Sequence, residues 1–172
     1  MVGMWWIIAL AVGAGVLAGI GIALAWRPGR SALRESEFAT ARREFHRHRE
    51  HLEVQFLKLA AASGKPRGLV WVDCDFDDDV TYARDRRTGQ LSAFVAVTIS
   101  FEAVEGGGME HVEAVSNLRA ATAVFHYERG HWQTGGRVVF NLNPAEAVNH
   151  FRNQLEMIEQ ETRAGQLGSD SL

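Results

Sequence analysis

The sequence predicts an α+β protein: an N-terminal transmembrane helix, an amphipathic helix, a four-strand antiparallel meander and a C-terminal helix packed on the sheet. Three observations carry this. Residues 4–26 contain no charged side chain. Residues 31–62 contain neither Gly nor Pro and repeat apolar residues at helical spacing. Residues 69–142 alternate apolar and polar positions in runs separated by turn-forming sequence, the period-2 signal of strands.

The first segment, "MWWIIALAVGAGVLAGIGIALAW", would rise about 34 Å as a helix, enough to cross a hydrocarbon core. Trp5, Trp6 and Trp26 bracket it, where indole rings favour the two interfaces. Arg27, Arg30 and Arg34 follow at once and no basic side chain precedes it. Positive residues stay inside, so the expectation is a single-pass anchor of a cell membrane with the remainder of the chain cytoplasmic. The alternative, a signal peptide cleaved near residue 25 and a secreted or periplasmic product, fits the missing basic n-region poorly. Ala11, Gly15, Gly19 and Ala23 recur every four residues, a small-residue stripe through which two copies could pair.

"RPGR" at 27–30 predicts a helix break, because Pro and Gly both disfavour continuation. A second helix over 31–62 carries Phe38, Phe45, Leu52, Phe56 and Leu59 on one side. Ala41, His48 and Gln55 would make a poor second row for a coiled coil, so the seam is expected to pack on the chain's own sheet. The same helix could also meet a partner protein or a second copy.

"ASGKPRG" at 62–68 reads as a linker. Residues 70–85 pair with 91–104 across the turn at 86–90 only as one bent strand, which makes "DDD" at 77–79 a bulge. Ala93, Val95, Val97, Ile99 and Phe101 form one face of the longest strand, and Phe94, Ala96, Thr98 and Ser100 the other. A second hairpin joins 118–127 to 131–142 and sets Tyr127 opposite Trp132. "NPAE" at 143–146 starts a helix through cap, N1 proline and first-turn acid. Its predicted stripe is Val148, Phe151, Leu155 and Ile158. The domain plan is therefore a short tail (1–3), anchor (4–26), juxtamembrane helix and linker (27–68), α+β domain (69–163) and disordered tail (164–172). In outline it is similar to cystatin-like and NTF2-like folds, though no motif carries that likeness, and such folds host many functions.

Charge is divided along the chain. Residues 1–68 hold ten Lys/Arg against five Asp/Glu, a net of +5, and residues 69–172 hold eight against sixteen, a net of −8. An acidic domain repels phosphate backbones, which argues against nucleic acid as a partner. Only two of the eighteen basic residues are lysine, a bias that fits a high-GC bacterial genome.

The densest candidate site is "VWVDCDFDDDV", with Asp73, Asp75, Asp77, Asp78 and Asp79 around Cys74. Carboxylates are hard ligands for Ca²⁺ or Mg²⁺, so a cation-binding domain or cation-dependent hydrolase is one reading. An EF-hand loop needs Gly at its sixth position and Glu at its twelfth. Counting from Asp73 those are Asp78 and Arg84, and from Asp75 they are Val80 and Arg86. The preferred reading is a solvated strand face whose charge deters edge pairing. Cys74 falls on the apolar side of its strand and reads as a structural thiol. "HRHREH" at 46–51 offers too few convergent ligands for a metal, and "GGG" at 106–108 lacks the Lys-Ser/Thr of a phosphate loop. A ligand pocket in the concavity of the sheet would be lined by Phe94, Phe125, Trp132 and Phe140. The sequence thus leans away from an enzyme, with no cofactor, metal or catalytic residue expected. The leading expectation is a membrane-anchored binding or interaction domain.

Overall fold

The computed structural model describes residues 3–63, 68–109, 111–112 and 118–162, with the side chains of residues 4–11, 16–31 and 63 outside the described set. The chain divides into two compact units, Met1–Arg42 and Arg43–Leu172.

The first unit contains the beginning of α1, the helix Gly3–Ser63. The break expected at 27–30 does not occur, and α1 runs through Pro28 and Gly29. An interior proline costs about 3 kcal/mol, a penalty that long helical runs on both sides can offset. Ser36 Oγ donates to the Leu33 carbonyl and Thr40 Oγ1 to that of Ser36, both at 2.9 Å. Both hydroxyls are thereby satisfied within their own helix. Trp5, Trp6, Gly19, Trp26, Arg27 and Arg30 lie outside the residues whose side chains are described, while Gly15 is exposed. Among the described residues, no helix is long and apolar enough to cross a membrane.

The second unit is an α+β domain built on a six-strand antiparallel sheet. The strands are β1 (Leu69–Asp85), β2 (Leu91–Ala103), β3 (Arg119–Glu128), β4 (His131–Gln133), β5 (Val138–Phe140) and β6 (Leu155–Glu161). Their order is β4-β3-β2-β1-β6, with β5 also on β3, so β2 is central as its apolar alternation predicts. β1 is the single bent strand that the long hairpin requires. Its register jumps from Phe76↔Val97 to Val80↔Val95, leaving Asp77, Asp78 and Asp79 as a bulge. Arg49 of α1 holds that bulge in place. Its guanidinium donates to the Asp77 carbonyl, lies 3.7 Å from Asp78 Oδ1 and pairs with Glu53 at 2.8 Å.

Residues of α1 beyond Arg42 cover one sheet face. Phe45 meets Phe125 and Trp132 with ring centroids 5.6 and 5.0 Å apart, and Phe56 meets Phe76 at 5.6 Å. Phe45, Leu52 and Phe56 are buried as the seam predicts, whereas Leu59 is exposed. Tyr127 and Trp132 pair across the β3–β4 turn with centroids 5.3 Å apart. β4 and β5 are separated by "TGGR", in which Thr134 Oγ1 donates to the Val124 carbonyl at 3.0 Å. Gly136 there has φ +70°, and a Cβ on it would stand 2.5 Å from the Ala60 nitrogen of α1. Only glycine allows that approach.

The C-terminal helix is the main departure from expectation. α2 (Pro144–His150) starts as predicted, with a full capping box: Asn143 Oδ1 accepts from Glu146 N at 2.8 Å and Glu146 Oε2 from Asn143 N at 3.0 Å. It ends at Phe151, and residues 155–161 form β6 instead of two further helical turns. β6 pairs with Val80–Asp85 on the outer side of β1. Without it those backbone groups would have no ladder partner, a requirement that outweighs the helix propensity of "LEMIEQE". The four-strand meander is accordingly a six-strand sheet. The expected tail, 164–172, and most of the linker, 64–67, lie outside the described residues.

Candidate functional site

The face of the sheet opposite α1 is covered by α2 over part of its area. Ala147 and Val148 pack on Ala83, Phe94 and Val124, with Val139, Leu142 and Leu155 around them. Beside this cluster the α2–β6 turn leaves a cavity of about 110 Å³. Phe94, Val124, Val139, Phe151 and Leu155 supply apolar walls, and Ser92, His126, Arg137, Asp85, Gln90 and Gln154 the polar ones.

Strand register places the central pair. Ser92 and His126 are direct cross-strand partners on β2 and β3, and Ser92 Oγ lies 3.0 Å from His126 Nδ1. Arg137 sits at the entry to β5, where its carbonyl accepts from Val124 N at 3.1 Å. Its guanidinium lies 5.5 Å from the Phe151 ring centroid, a cation–π contact that orients it. Burial, aided by the Arg137 charge, pushes the His126 imidazole below its ordinary range, so it is neutral at pH 7. Asp85 is the last residue of β1. Its Oδ1 accepts from Thr88 N at 2.6 Å and Arg87 N at 2.9 Å, bonds that hold its carboxyl low.

The Ser-His pair lacks a triad's third member. Among the described residues, no carboxylate meets the other His126 nitrogen. The pair is therefore not arranged as an activated nucleophile of the Ser-His-Asp kind.

The sequence-predicted positions are dispersed. Phe94 lines this cavity, but Phe125 and Trp132 face α1 and fill the other side of the sheet with Phe45. Phe140 is 41% exposed and meets Phe101 at 6.3 Å. Asp73 and Asp75 pair with Ser100 and Thr98 and are exposed on the face away from α1, while Asp77, Asp78 and Asp79 form the bulge. Among the described residues, no group of three or more His, Cys, Asp or Glu side chains is arranged to hold a metal ion. Cys74 is half-buried beside Asp73, Asp75 and Glu53. Desolvation and then those charges push its thiol up to about 12, far from the low values of reactive cysteines.

Ser92, His126 and Arg137 are the residues the sequence alone does not single out. For Ser92 and His126 the only signal is strand parity. Once β2 and β3 are in register, Ser92, Phe94, Val124 and His126 share a face. Fold and cavity together define an α+β domain with a small one-sided pocket. Comparison with protein-family models, curated proteins and solved structures returned no match.

Proposed function

We propose that this is a membrane-anchored, non-enzymatic binding protein whose α+β domain takes a small ligand in the cavity beside α2. The cavity carries this reading. It sets apolar side chains beside polar ones, a combination that can seat and orient a small molecule, and its Ser-His pair lacks the acid of a catalytic triad. The anchor rests on the uncharged run 4–26, its tryptophans and the arginines that follow. Those arginines favour a cytoplasmic domain on the inner membrane of a bacterium.

Both parts are testable on the full chain. Alkaline carbonate washing of membranes should leave the protein in the pellet, and a C-terminal alkaline phosphatase fusion should be inactive. A thermal-shift screen should return small molecules whose effect disappears in Val139→Trp, which fills the cavity. Release by carbonate would show that residues 4–26 do not anchor the protein. A screen whose hits are indifferent to Val139→Trp would remove the pocket.

A further inference from the structure

We infer that the cavity beside α2 is a site for a small carboxylate with a short apolar body, held by Arg137 together with the Ser92–His126 pair. This rests on the ligand-binding reading above and names the ligand's chemistry. Ser92, His126 and Arg137 give the cavity lining several donors. Arg137 presents a charged fork that matches a carboxylate. The Ser-His pair adds one further donor in either tautomer. If Ser92 donates to His126 Nδ1, the Nε2–H is left over; if Nδ1–H donates to Ser92 Oγ, the serine hydroxyl proton is left over.

Asp85, at the β1 end of the cavity, is also ionised, but one of its oxygens faces its own turn. Its Oδ1 already accepts two backbone N–H groups of its own turn, and Arg86 and Arg87 follow it in sequence. The same cavity is also lined by apolar side chains, Phe94, Val124, Val139 and Leu155. A space of about 110 Å³ admits a ligand of roughly five to eight non-hydrogen atoms, judged against the space one water occupies. Those dimensions match a short-chain acid better than a lipid or a peptide segment.

The test titrates the full chain in detergent with butyrate, butylammonium and 1-butanol at constant ionic strength. The His126 imidazole and the Val124 and Val139 methyl NMR signals are followed. Butyrate should shift them saturably, and Arg137→Gln should weaken it about tenfold or more, the loss expected for a charge-assisted bond. Arg137 is exposed, so Arg137→Gln should melt like the parent. The comparison of butyrate with butanol on the unaltered chain also stands without it. If butylammonium or butanol saturates the same signals as well as butyrate does, the carboxylate assignment is overturned while the pocket survives. If none of the three moves them, both fall.

Discussion

His46 Nε2 lies 2.9 Å from Glu161 Oε2, tying the long helix to the last strand. Tyr82 shares the arrangement, with its hydroxyl 3.5 Å from the same carboxylate oxygen and 3.4 Å from His46 Nε2. The Glu161 side chain is only 8% exposed, so its removal takes an acceptor from inside the fold. Glu161→Ala should lower stability by about 1–3 kcal/mol, and Glu161→Gln, which retains an acceptor, by less. Denaturant midpoints of the two variants check this. Equal midpoints for parent and Glu161→Ala would show that β6 is not held through this contact.

Gly136 and Gly89 separate two effects. Both have positive φ, but a Cβ on Gly136 would strike α1, whereas one on Gly89 would meet nothing within 4 Å. Gly89→Ala should therefore cost only the left-handed backbone penalty of about 1–2 kcal/mol. Gly136→Ala should cost clearly more and shift thermal unfolding further. Similar losses for the two variants would mean that the "TGGR" loop does not rest on the helix.

Cys74 should resist alkylation by iodoacetamide at pH 8 in the folded protein and react readily in denaturant. Its thiol pKa of about 12 against an ordinary 9.0 also sets a sign. Between these values the unfolded chain loses a proton that the folded chain keeps, so stability should fall as pH rises through that window. Cys74→Ala should flatten this decline. Rapid labelling of the native protein would contradict the raised thiol pKa.

His126 works in the opposite direction. Its pKa is lowered from 6.5 by burial, so below that pH the unfolded chain binds a proton that the folded chain binds less well. The stability contribution is present above pH 6.5 and is lost as pH falls. His126→Gln should weaken the pH dependence of the unfolding midpoint in this range, and an unchanged profile would place the imidazole in solvent.

Local chemistry made much of this fold legible. The Asn143-Pro144-Glu146 start, the Tyr127–Trp132 pair and the aspartate bulge each follow from residues close in sequence. β6 was not legible, because Val148, Phe151, Leu155 and Ile158 satisfy a helical stripe and "LEMIEQE" favours a helix. The open side of β1 decides that segment, and nothing local encodes it. The cavity was hidden for a related reason. Ser92 and His126 meet only through the β2–β3 register, which is set across a long connection and not by a tight turn. Phe94 and Phe125 looked alike in sequence, but strand parity sends them to opposite faces.

The proposed ligand site lies beside α2 and not at the aspartates. The most direct measurement is an NMR screen of the full chain against small organic compounds and, separately, Ca²⁺ and Mg²⁺, with all resonances followed. Organic ligands should produce saturable perturbations confined to Ser92, Phe94, Val124, His126, Val139 and Phe151. Saturable perturbation of Asp73, Asp75 and Asp77–Asp79 by a divalent cation, with a silent cavity, would contradict this assignment.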